Sequence, residues 1–120
     1  MAKDIALGQK LNDEMLFQFA SVCKALGNSK RLRIIDTLKD SELAANDLSN
    51  ILGLNKSHLF QHMSILVDSG MVKFRRAGGQ VFYRLTDKKI IEALNILHQV
   101  FLKKLSDSKR LFDEAREYKL

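Results

Sequence analysis

Proline is absent from this 120-residue chain, and cysteine occurs once. No apolar run approaches the ~18–20 residues of a membrane-spanning helix. With no repeats and no low-complexity stretch, nothing marks a linker, and one domain over residues 1–120 is expected. A lone cysteine excludes an intrachain disulfide. The opening MAKDIALGQK lacks the apolar centre of a secretion signal, which points to the cytoplasm. No phosphate-binding glycine loop, nucleophile elbow or acid–base pair with pocket-like spacing occurs, so neither catalysis nor a cofactor is expected.

Acidic residues are in the minority too. The formal charge of +6 and a pI near 9.6 suit a polyanionic partner, though a basic balance alone is weak evidence. Its location says more. Positions 29–89 hold eleven basic side chains against six acidic ones, so nearly all of the excess lies in one segment.

Within that segment, residues 46–85 read as two short helices around a Gly-Leu-Asn turn, followed by a two-strand hairpin tipped with Arg-Arg-Ala-Gly-Gly-Gln. Leu48, Ile51 and Leu52 have the spacing of a buried stripe. Gly53 can end the first helix in a left-handed conformation, and Asn55 can cap the second with its side-chain oxygen. In that second helix, residues 55–68, Leu59, Met63 and Leu66 define the core side. At roughly 100° per residue Ser57, Gln61 and Ser64 then point outward, with Phe60 and His58 on the flanks. A solvated face would normally carry Glu and Lys. One of Lys, Ser, Gln, His and Phe suits the edges of base pairs.

The hairpin strands, residues 71–74 and 81–85, are joined by Gly78-Gly79, a pair that supports the positive-φ two-residue turn hairpins favour. Arg75, Arg76 and Arg84 cluster around it. They either keep an exposed hairpin soluble or contact phosphates, and beside a helix-turn-helix the second reading is favoured. The fold expected is mainly α with a small β-hairpin, a winged helix-turn-helix. The candidate DNA contacts are Asn55, Lys56, Ser57, His58, Phe60, Gln61, Ser64, Arg75, Arg76, Gln80 and Arg84. A winged helix used for protein–protein contact is the alternative.

The run KALGNSKRLRIIDTLKDSELAANDLSNILGLNKSHLFQHMSILVDSGMVKFRRAGGQVFYRL resembles the ArsR/SmtB family of winged-helix repressors. ALGNSKRLRIIDTL is similar to the family's opening helix. The L, S, QHM, L and G-V frame and the R, G, Y-L wing follow in register, so the likeness covers about residues 19–97. It implies a homodimer that occupies an imperfect inverted-repeat operator on double-stranded DNA and releases it when a signal arrives.

The departures from the family concern sensing. Its thiolate motif ELCVCDL is here Glu42-Leu43-Ala44-Ala45-Asn46-Asp47-Leu48, with Ala44 and Asn46 in the cysteine positions. Its second site retains Asp87, but Lys89, Val100 and Lys103 stand where the other ligands would be. Two ammonium groups there oppose a cation, so no metal is expected. His58 and His62 have a chelating i, i+4 spacing but lie in the second helix of the motif with no cysteine or carboxylate beside them. His58 is read as a DNA contact or packing residue, His62 as a half-buried structural histidine and His98 as a satisfied interface histidine. Cys23 is read as a buried small hydrophobe, with a redox-sensing thiol as the other possibility.

The segments flanking this reading head (about residues 29–85) look like assembly elements, over about residues 10–26 and 87–118. Leu11, Met15, Phe19, Val22 and Leu26 form one stripe. After the hairpin, Thr86 can cap a helix from Asp87 whose stripe holds Ile90, Ile91, Leu94, Leu97, Phe101 and Leu105. Ile96, Val100, Leu102, Leu111 and Phe112 widen it beyond what one small domain covers. These first and last helices are expected to form a dimer interface, against the alternative of folding only onto their own subunit. Whether the sequence Ser106-Asp107-Ser108 interrupts the last helix is open.

Overall fold

A computed structural model describes residues 12–108 together with 113, 114 and 116. The chain divides into two compact units, Met1–Asp87 and Lys88–Leu120. In the first unit four helices, α1 (Asp13–Leu26), α2 (Ser29–Thr37), α3 (Ala45–Leu52) and α4 (Lys56–Asp68), accompany three strands, β1 (Leu43–Ala44), β2 (Val72–Ala77) and β3 (Gln80–Leu85). The second contains α5 (Lys89–Asp107).

Short asparagine caps set the helix starts. Asn12 accepts the Met15 N–H at 2.9 Å, and Asn28 accepts those of Lys30 and Arg31 at 3.0 and 3.2 Å. Each satisfies donors that the first turn leaves without a helical partner. The core is a small aliphatic cluster: Ile34 and Ile35 from α2, Leu48 from α3, Leu59, Met63 and Leu66 from α4, and Val72 at the start of β2. It locks the helix-turn-helix onto the root of the hairpin.

The sheet is antiparallel in the order β1-β3-β2. β2 and β3 pair from Val72↔Leu85 to Ala77↔Gln80, leaving Gly78 and Gly79 as a two-residue turn with φ of 58° and 76°. Two successive positive φ values match the right-handed twist of a tight hairpin and disfavour any side chain there. The third strand is an addition to the expected hairpin. Leu43 pairs with Tyr83 and Ala44 with Phe82, so β3 is the central strand.

Three sequence readings change here. Ile51 is 59% exposed: the buried side of α3 runs through Ala45 and Leu48 toward Leu52, and Ile51 lies about a quarter turn away. Thr86 caps no helix. Its hydroxyl donates to the Gly70 carbonyl at 2.8 Å and its N–H to Met71 at 3.1 Å, tying off the sheet, while α5 begins without a side-chain cap. Cys23 is exposed, not buried.

Met15, Leu16, Phe17 and Phe19 of α1 are exposed, and α5 has no buried residue. α5 stops at Asp107, with Ser108 outside helical geometry; residues 113, 114 and 116 are helical again. Leu11, Leu111 and Phe112 lie outside the described residues. No helix among the described residues is long and apolar enough to cross a membrane.

Candidate nucleic-acid interface

The interface is built on the turn between α3 and α4. Gly53 takes φ of 66°, and Leu54 N–H reaches back to the Ser49 carbonyl at 3.1 Å. Ser49 Oγ donates to the Leu54 carbonyl, closing the turn from both sides. The Asn55 side chain then accepts the His58 N–H at 2.8 Å. That bond fixes the residue at which α4 begins and hence the rotation of every later side chain.

With Leu59, Met63 and Leu66 inside, Ser57, Gln61 and Ser64 face out along one line, as their spacing requires. They share a shallow concave strip with Phe60 and Ile65, each 42% exposed. Ile65 was not among the sequence candidates. It lies four residues after Gln61 and eight after Ser57, so helical spacing alone could have found it. Hydroxyls and an amide flanked by apolar side chains can meet the hydrogen-bonding edges and methyl groups of a major groove. Lys56 and His58 are exposed near the N-terminal end.

Behind this face, α4 is anchored to α2. Arg31 donates through Nε to the Ala25 carbonyl and through Nη1 to His62 Nδ1 at 3.2 Å. A guanidinium can only donate, so this bond requires His62 with Nδ1 unprotonated. Burial first, and then the charge of Arg31, hold the imidazole below its ordinary value. His62 is therefore half-buried as expected, and Arg31 proves to be a structural tie. The unfolded chain binds a proton at His62 more readily than the folded one does, so this residue lowers stability as pH falls below about 6.5. Denaturant titrations across pH 7.5–5.5 should show a shallower loss in His62→Gln than in the wild type, and equal losses would exclude this role.

The hairpin divides the wing residues between its two faces. Arg76 shares a face with Phe74 and Val81 and lines a groove whose other wall includes Phe60 and Ser64 of α4. Its guanidinium stands 5.9 Å from the Phe74 ring centre. Gln80 is joined with Lys56 and Phe60 around a hollow near the hairpin turn. Arg75 and Arg84 lie on the opposite face, beside Lys73 and Phe82. The sequence treated the three arginines as one cluster, and strand alternation separates them.

Arg75 has a partner that the sequence reading missed. It donates to Glu42 in a two-pronged pair, from Nε at 2.9 and 3.1 Å and from Nη2 at 2.7 Å. The guanidinium also lies 4.7 Å from the Phe82 ring centre. Its hydrogen bonds hold the Glu42 carboxyl below the usual carboxylate range, while Glu42 raises the Arg75 value. Elsewhere, His98 is exposed with a tilted contact to Phe101. Among the described residues no three His, Cys, Asp or Glu side chains stand together as a metal site.

Known regulators share this chain's sequence and fold. The profile of the bacterial regulatory protein arsR family matches residues 28–73. The biofilm growth-associated repressor of Xylella fastidiosa is 33% identical over 84 residues, 70% of this chain and 74% of the relative. The transcriptional activator HlyU of Vibrio cholerae is 36% identical over 78 residues, 65% and 72% of the two chains. A homodimeric winged helix-turn-helix DNA-binding domain from Mycobacterium bovis superposes with a TM-score of 0.71 at 27% identity, covering 82% of this chain and 94% of that one. With its helix-turn-helix, its wing and these relatives, the chain belongs to the ArsR family of bacterial regulatory proteins and is a DNA-binding transcriptional regulator.

Proposed function

We propose that the protein is a cytoplasmic homodimer that represses its own or a neighbouring operon by occupying an imperfect inverted repeat. α4 enters the major groove and the wing reaches the adjacent backbone or minor groove. The observation that carries this reading is the strip of Ser57, Phe60, Gln61, Ser64 and Ile65, which opposes the core side of α4 and is left open by the fold. Asn55, Lys56, His58, Arg76, Gln80 and Arg84 complete the surface as phosphate or groove contacts. The protein–protein alternative loses its ground with the family assignment.

Dimerisation is supported by the exposed apolar residues of α1 and α5 and by the homodimeric M. bovis relative. A two-fold dimer meets DNA with two copies of α4, and half-sites about one helical turn apart follow from that symmetry. With Ala44 and Asn46 in place of the cysteine pair, and Lys89, Val100 and Lys103 in the second site, neither metal route common in the family is open to it.

A gel shift against the promoter of the protein's own gene tests the reading. Gln61→Ala should lose roughly 1–3 kcal/mol of preference for that promoter over a random duplex, the worth of one bidentate base contact. A variant with unchanged preference would remove Gln61 from base reading.

A further inference from the structure

The position of Glu42 is more informative than its charge. It lies immediately before β1, and Ala44 at the end of β1 is the N-cap of α3, the first helix of the helix-turn-helix. By the antiparallel register, Leu43 faces Tyr83 and Ala44 faces Phe82, so Glu42 sits at the β1 edge of the sheet. Arg75 sits on the opposite edge strand, facing Phe82 across β2 and β3. The two residues are 33 positions apart in sequence and meet only by passing over the Phe82 ring of the central strand.

We propose that Arg75 is a positioning residue of the wing and not one of its phosphate contacts. The Glu42–Arg75 pair cross-ties the outer hairpin strand to the strand that launches the helix-turn-helix, setting the angle at which the wing leaves the domain. This inference rests on the DNA-binding reading and assigns different tasks to neighbouring arginines. Arg75 has its guanidinium fork filled by a carboxylate and one face covered by an aromatic ring. A phosphate could take a two-pronged contact through the Nε–Nη2 edge only by displacing that carboxylate, which leaves it the Nη1 side alone. Arg76 stands 5.9 Å from the Phe74 ring centre and shares a groove with the outward side of α4. Of these two neighbours, Arg76 is the one that faces the nucleic acid.

The distinction is measurable because phosphate contacts release counterions and positioning contacts do not. Fluorescence anisotropy would follow the full chain on a labelled duplex from its own promoter and on a random duplex of equal length, from 50 to 200 mM salt. R76Q should weaken both duplexes and reduce the slope of log K against log salt by about 0.9. R75Q should weaken the promoter duplex about two- to fivefold, the range of one exposed ion pair, with an unchanged slope and a thermal midpoint lowered by no more than about 5 °C. R75K keeps the charge but not the planar fork, so it should behave like R75Q. The exchange E42R/R75E should bind more tightly than R75E alone, because it rebuilds the tie with reversed polarity.

A reduced salt slope in R75Q, wild-type affinity in R75K, or an exchange no better than R75E would each overturn the assignment and return Arg75 to the phosphate backbone. A wild-type chain that binds neither duplex would overturn the DNA-binding reading itself. That outcome is distinct from any failure confined to the Arg75 variants.

Discussion

Leu97→Glu is expected to dissociate the protein into monomers and to abolish tight operator binding. Residues 96, 97, 100, 101 and 102 of α5 place Ile, Leu, Val, Phe and Leu on an exposed surface, with Ile96, Leu97 and Val100 each more than 60% exposed. Fully burying one such side chain contributes about 1.5–3 kcal/mol, so a handful on each subunit is a substantial driving force for association. A carboxylate placed among them costs several kcal/mol unless it finds a partner, and in a two-fold interface the substitution enters twice. Each 1.4 kcal/mol is tenfold in the dissociation constant, so the loss should exceed about a thousandfold. Sedimentation velocity at micromolar concentration should show a monomer. A dimer unaffected by the change would place the interface elsewhere. A monomer that still protects both half-sites of the operator would separate dimerisation from DNA recognition.

Leu59→Ala should cost about 2–5 kcal/mol of folding stability, the range for removing a fully buried leucine and leaving a cavity. Leu59 has no exposed surface and sits on α4 directly behind the recognition face. Domains of this size hold only about 5–15 kcal/mol, so a large share of the native population is at stake. The midpoint of thermal unfolding should fall by about 10 °C or more. Ile51→Ala is the internal comparison. Its side chain lies mostly in solvent, and the change should stay within about 0.5 kcal/mol. Equal effects at the two positions would mean that the packing of α3 or α4 is rotated from that described. A loss confined to Ile51 would restore the stripe inferred from spacing alone.

These contrasts show which parts of the molecule local sequence determines. The two-residue turn at Gly78-Gly79, the left-handed stop at Gly53 and the Asn55 cap each depend on the conformational freedom or side-chain reach of one or two residues, and all were legible. The outward line of Ser57, Gln61 and Ser64 was legible for the same reason. A 13-residue helix with three core positions has only one rotation that buries them all. Ile51 was misassigned because α3 has eight residues, too few for spacing alone to choose between two edges of one apolar side.

Tertiary structure decided the rest. β1 is two residues long and exists only because β3 supplies its hydrogen bonds, so no local pattern announces it. The division of the wing arginines follows from strand register, and the partner of Arg75 lies 33 residues away. Arg31 looked like one more positive charge until folding brought His62 and the Ala25 carbonyl within its reach. Turns, the asparagine caps and the faces of the longer helices are fixed by interactions spanning three or four residues, which is why local sequence determines them. Thr86, by contrast, was drawn from its expected cap by the distant Gly70 and Met71 carbonyls. The task of a charged side chain is fixed by whichever opposite charge, ring or carbonyl the folded backbone brings beside it, and that neighbour is chosen by long-range packing.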